Sequence, residues 1–242
     1  QPATASPVQG ELVAKAAVTE QTYQLGSVKD DSVYPMQIEL TNRGAAIKDI
    51  QLRDYRFDLG KTDHYPLLRP VEDADGRRTH YSMATEKLRI ETFREDILLD
   101  DLLWQLDREA SAADKATFRA TIAKGGQDVL EVAKIYTLKP TAPRPAKGPI
   151  PLESQRYDVT LAYKIQNRTS QPLAVQLVQV GPIGMHNEDL RSDWRKVVGA
   201  MRSGTQVTVD SKAKIARAQV VKETSHAVAL GVDSENAVVA WT

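Results

Sequence analysis

Residues 159–165 read VTLAYKI, with Val159, Leu161, Tyr163 and Ile165 at every second position. Successive side chains on a strand point to opposite faces, so this spacing makes one apolar face and one polar face. The same period returns at Met36, Ile38 and Leu40, and again at Phe118, Ala120 and Ile122. A chain patterned in this way is expected to build antiparallel sheets that meet through their apolar faces.

Two stretches repeat one design. MQIELTNRGAAIKDIQL (36–52) and VTLAYKIQNRTSQPLAVQLVQV (159–180) each run from an alternating segment into Asn-Arg, through small or turn-forming residues, and out into a second apolar segment. Asn42-Arg43-Gly44 is a predicted turn, because Asn and Gly tolerate positive φ. Further strands are expected in 78–92, on both sides of the hairpin signal Gly125-Gly126, in 129–138, in 226–232 and in 236–241. LAVQLVQV (173–180) is apolar on both faces and predicts a strand buried between layers.

Two segments carry helical signals. Residues 95–109 place Ile97, Leu98, Asp101, Leu102 and Leu106 near one side, which fits a short amphipathic helix or an irregular strand pair. Residues 192–204 are the better candidate for a minor helix. Ser192 can cap it, Trp194, Val197, Val198 and Met201 follow helical spacing, and Gly204 can end it. The run 139–154 holds five prolines and cannot sit inside a sheet, so it reads as an extended loop. Residues 1–21 lack firm periodicity and read as a linker, which leaves 22–242 as one β domain.

Composition narrows the function classes. Lys+Arg and Asp+Glu each number 32 in 242 residues, so there is no basic excess to neutralise phosphates, and nucleic acid is not an expected partner. With no cysteine, disulfides, thiolate metal sites and a Cys nucleophile are excluded. No stretch reaches the roughly 20 apolar residues that span a bilayer, and QPATASPVQG is not a signal peptide. The start at Gln rather than Met leads us to expect an excised or processed fragment.

No reactive constellation stands out. His64, His80, His186 and His226 show no metal-ligand spacing. Glu95-Asp96, Asp100-Asp101 and Glu188-Asp189 read as solvated acidic faces rather than an acid–base pair. Ser154, Ser170 and Ser203 lack a nucleophile-elbow setting, and Gly181-Pro182-Ile183-Gly184 is not a phosphate loop. Trp104, Trp194 and Trp241 read as packing residues before groove anchors. Trp194, Arg195, Val198 and Met201 are the candidate contact for a partner, on an amphipathic face flanked by Arg191, Lys196 and Arg202. No catalytic residue, metal or cofactor is expected.

Several features together resemble the large periplasmic domain of the YidC family of bacterial membrane protein insertases. Thr41, Asn42, Arg43 and Gly44 match the family's TNRGG-like turn, Ala45 replaces its second glycine, and Ile47, Ile50 and Leu52 follow. Tyr157, Val159, Leu161, Tyr163, Asn167, Pro172 and Leu173 resemble a second family hairpin, preceded by YTLKP at 136–140. NAVVAWT (236–242) is similar to the family's Trp-containing junction but stops before its last part, so a domain truncated at its C-terminal end is expected.

The resemblance implies a β-supersandwich, two large antiparallel sheets face to face, similar to galactose mutarotases. It implies an inner-membrane protein with this domain in the periplasm, a membrane anchor upstream, and a non-catalytic role in insertion and folding of membrane proteins. Sec translocon accessory subunits and nascent membrane-protein clients are the implied partners. A carbohydrate-binding or aldose-epimerase-like domain of the same architecture is the alternative.

Overall fold

The computed structural model describes residues 10–57, 62–73, 75–141 and 157–185, with the backbone strands Lys196–Ser203, Gln206–Ala213 and Ala237–Trp241. The chain divides into two compact units, Gln1–His186 and Asn187–Thr242.

In the first unit, strand β1 (Leu12–Lys15) is followed by β2 (Thr22–Gly26), β3 (Met36–Thr41), β4 (Ala46–Arg56) and β5 (His64–Leu68), the last four forming one antiparallel sheet in chain order. A short ribbon of β6 (Val71–Glu72) and β7 (Thr79–His80) leads to β8 (Thr85–Ile90) and β9 (Glu95–Leu98). Then come β10 (Gln105–Leu106), β11 (Lys115–Lys124), β12 (Gln127–Leu138) and β13 (Val159–Asn167). A five-stranded sheet runs β1-β11-β12-β13, with β10 also paired to β11. Strand β14 (Val175–Gln179) returns to pair with β8 and completes the order β14-β8-β9.

The second unit holds a three-stranded sheet of β15 (Lys196–Ser203), β16 (Gln206–Ala213) and β17 (Ala237–Trp241), with β15 in the middle.

The alternation seen in the sequence explains the first unit. Met36, Ile38 and Leu40 are buried on β3, Phe118, Ala120 and Ile122 on β11, and Leu130, Val132, Tyr136 and Leu138 on β12. With Leu88, Ile90, Leu99 and Trp104 they make one core shared by all three sheets. Each Leu or Ile withdrawn from water in this way contributes about 1.5–3 kcal/mol. Gly125 and Gly126 both have positive φ, 54° and 83°, the backbone of a two-residue hairpin whose twist matches its strands. The fold is all-β and antiparallel, consistent with a β-sandwich.

Several local expectations are corrected. Among the described residues there is no helix, and the segment expected to be the minor helix, 192–204, contributes strand β15. Val197 and Val198 favour a strand, Gly199 penalises a helix, and β16 and β17 offer ladder partners on both sides. In 95–109 the strand alternative holds, but β9 and β10 pair with different neighbours, β8 and β11. Ile97 is 8% exposed and Leu98 71%, the alternation of a strand. Ile165, in register with the buried Val132, is 45% exposed on β13, the last strand in its sheet's order. β14 is half-covered rather than buried between layers, with Val178 40% exposed. Leu12–Lys15, inside the stretch read as linker, pairs with β11 from Lys124 to Thr121. The expected strand at 226–232 lies outside the described residues.

Candidate functional site

The first Asn-Arg corner is a structural junction. Asn42 is fully buried after β3. Its side-chain oxygen accepts from the Gln21 amide at 2.8 Å, and its amide nitrogen donates to the Thr19 and Trp104 carbonyls at 3.1 and 2.9 Å. Three segments distant in sequence are thereby fixed to one side chain. The turn's positive φ falls at Gly44 (62°) and Ala45 (47°), not at Asn42. The second corner works differently. Asn167 is exposed, and its side-chain Oδ1 accepts from the Thr169 backbone amide at 2.8 Å in a local Asx turn.

A second group of polar atoms lies inside the core. Lys134 occupies the inward face of β12 and is fully buried. Its Nζ donates to the Met83 carbonyl and, at 3.0 Å, to Thr85 Oγ1. The rings of Tyr136 and Tyr163 lie 5.5 and 5.4 Å from Nζ. Tyr163 donates to Gln179 Oε1 at 2.6 Å, so its oxygen is left to accept from the Thr85 hydroxyl 3.0 Å away. No ion pair among the described residues includes Lys134, and burial pushes its pKa well below the usual lysine range. Two ring faces at about 0.5–2 kcal/mol each offset only part of the several kcal/mol that desolvating an ammonium costs.

An open cleft of about 420 Å³ is lined by Gln51, Phe57, Thr62, Asp63, His64, Pro66 and Arg69. It sits where β4 runs past its regular pairing, because the register with β5 jumps between Leu52 and Arg56. The Phe57 amide donates to the Asp63 carbonyl at 2.9 Å and closes the connection. Arg69 stacks over the Phe57 ring at 5.9 Å. Tyr55, 52% exposed, meets the Tyr157 ring at 6.1 Å. Large aromatic and Arg side chains exposed together are the usual anchors of protein contacts.

The remaining titratable candidates are engaged in pairs. His80 contacts Asp73, Glu95 pairs with Lys124, Asp96 with Lys87 and Arg89, and both Asp100 and Asp101 with Arg78. His64 Nδ1 lies 3.2 Å from the Leu52 and Arg53 carbonyl oxygens. Among the described residues no group of three or more His, Asp or Glu could hold a metal ion, and no helix is long and apolar enough to cross a membrane. His186, His226, Ser154 and the Glu188-Asp189 pair lie outside the described residues.

The family model of the YidC periplasmic domain matches residues 28–206, well over half of the chain. The chain belongs to the YidC periplasmic domain family. Comparison with curated proteins and with solved structures found no match. The match spans the TNRG corner, the cleft, the Lys134 network and the β15 strand.

Within this YidC periplasmic domain the segment expected to carry the partner contact contributes strand β15. Trp194 and Arg195 lie outside the described residues, and Val198 and Met201 are on β15, in register with Ser211 and Thr208 of β16. Trp104 is a core residue, as the packing reading expected. Sequence reasoning passed over Lys134, although its position was legible: in VLEVAKIYTL it takes the core-facing place between Val132 and Tyr136.

Proposed function

We propose that this chain is a non-catalytic interaction domain of a membrane protein insertase, lying on the periplasmic side of the bacterial inner membrane. It aids insertion and folding of inner-membrane proteins, alone or with the Sec translocon. The observation that carries this reading is the family match across 28–206. The engagement of the described acidic clusters in ion pairs with Lys or Arg supports it, since paired carboxylates on open surface suit a scaffold better than acid–base work. The proposed contacts keep Trp194, Arg195, Val198 and Met201 and add Tyr55, Phe57 and Arg69 beside the open cleft. The partners are translocon accessory subunits and nascent membrane-protein clients, not nucleic acid.

Site-specific photo-crosslinkers at positions 55, 57, 194 and 198 of the membrane-embedded protein test this, with position 160 as control. Adducts to client chains or translocon subunits at the first four positions, and few at 160, are the expected result. Uniform labelling at all five positions, or measurable aldose mutarotation by the purified domain, would overturn it.

A further inference from the structure

We propose that Lys134 is an uncharged amine in the folded domain and acts as a proton-controlled latch, holding the Met83–Thr85 turn and strand β14 against the five-stranded sheet. The hydrogen-bond inventory carries this. A neutral amine has two N–H groups and a lone pair, and an ammonium has three N–H groups. Lys134 has two acceptors, the Met83 carbonyl and Thr85 Oγ1.

The bonds beyond it have one direction. Thr85 and Tyr163 each own a single hydroxyl hydrogen. Tyr163 gives its own to Gln179 Oε1, so Thr85 gives its own to Tyr163, and the Thr85 oxygen accepts from Lys134. Gln179 Nε2 then approaches Met83 Sδ at 3.8 Å, which closes the circuit on the residue where it began. Four strands of two sheets are joined: β12 and β13 on one side, β8 with its preceding turn and β14 on the other.

The groups that face Nζ carry no charge at neutral pH. From β12 there is Tyr136, whose hydroxyl is committed to the Ala45 carbonyl at 2.7 Å. From β13 there is Tyr163, the direct cross-strand neighbour, and from β11 the neighbour is Phe118. From the turn there are Met83 and Thr85. No described carboxylate pairs with the amine, and burial independently favours its neutral form.

Protonation transfers one proton from solvent to the Nζ lone pair. Beyond the Met83 carbonyl and Thr85 Oγ1 the new N–H meets the Tyr136 and Tyr163 ring faces, which offset only part of the desolvation of an ammonium, so the charged side chain is better solvated outside the cage. Leaving breaks both Lys134 bonds. Met83, held at a φ of 60°, then loses its carbonyl partner, and the Thr85–Tyr163–Gln179 chain that ties down β14, a strand paired with β8 and with no other described strand, loses its donor from β12.

The test uses the full 242-residue chain with ¹³Cε-labelled lysine, and hydrogen exchange at the Val175–Gln179 amides. The expected ¹³Cε signal of Lys134 is that of a neutral amine at pH 8. Relative to Lys134→Met at the same pH, opening of β14 is expected to rise as pH falls from 8 to 5, by up to about tenfold per pH unit, and Lys134→Arg is expected to open at both. An ammonium signal at pH 8, or a wild-type to Lys134→Met ratio that does not change with pH, would overturn the latch. If neither variant folds, the lysine titration of the wild-type chain decides alone.

Discussion

Asn42 and Trp104 hold each other through two opposed hydrogen bonds: the Asn42 side-chain amide donates to the Trp104 carbonyl at 2.9 Å, and the Trp104 amide donates to the Asn42 carbonyl at 2.8 Å. Both residues are fully buried, so neither bond has water to fall back on.

Asn42→Ala therefore strips partners from three segments at once. The Gln21 amide and the Thr19 and Trp104 carbonyls all lose the side chain. Leaving such groups unpaired is expected to cost about 3 kcal/mol in urea unfolding. Asn167→Ala, at the exposed corner, is expected to cost under about 1 kcal/mol. Equal costs at the two corners would show that the buried junction does not differ from a surface turn.

Gly184→Ala tests a close approach. Gly184 has a φ of 70°, and a Cβ there would lie 1.8 Å from the Arg69 carbonyl oxygen. The Arg69 amide also donates to the Gly184 carbonyl at 3.0 Å. The backbone must move, at a cost of about 3 kcal/mol. Because Arg69 lines the cleft, crosslinking at position 57 should fall in the same variant. A variant as stable as the parent would contradict this packing.

Arg119 links Asp107 at 2.7 Å and Glu131 at 2.8 Å, and Arg168 also pairs with Glu131. The Arg119 hydrogen bond holds Asp107 below its ordinary 3.8. Arg168, then Arg119, holds Glu131 below 4.5. Carboxylates depressed on folding add stability above their unfolded values and lose it as pH falls through the folded ones. Arg119→Ala is expected to cost about 1 kcal/mol at pH 7, less at high salt. The gap from wild type should close as pH drops below those ordinary values; a gap constant from pH 7 to pH 3 would count against the pairing.

Burial pushes the Tyr163 and Tyr157 phenols up to about 12. Between the ordinary value of 10 and 12 the unfolded chain ionises while the folded one does not, so stability falls as pH rises through that window. Tyr163→Phe should flatten the fall, read as the urea midpoint from pH 9 to 11.5. In absorbance titration of the folded wild type, late-ionising phenols are expected to include these two. Ionisation of all tyrosines near pH 10 would rule this out.

Strand positions and the turns at 42–44 and 125–126 were legible because period-two alternation and glycine placement are local properties of the chain. The resemblance carried by Thr41 to Gly44 and by Tyr157 to Leu173 was legible too, and the family match agrees with it. Segment 192–204 was misread because its apolar spacing suits a helix, while the ladder bonds that make it β15 come from residues elsewhere in the sequence. The cleft was not legible, since Gln51, Phe57 and Arg69 meet only through the irregular pairing of β4 with β5.

What the sequence by itself determined is the class of fold: side chains alternating along a strand can be withdrawn from water only by stacking sheets. What only the tertiary structure decided is which polar groups entered that interior and who receives them. Asn42 finds Trp104, and Lys134 finds Met83 and Thr85, across separations of roughly fifty residues or more. A buried donor is satisfied by geometry in space, and no local pattern encodes that geometry.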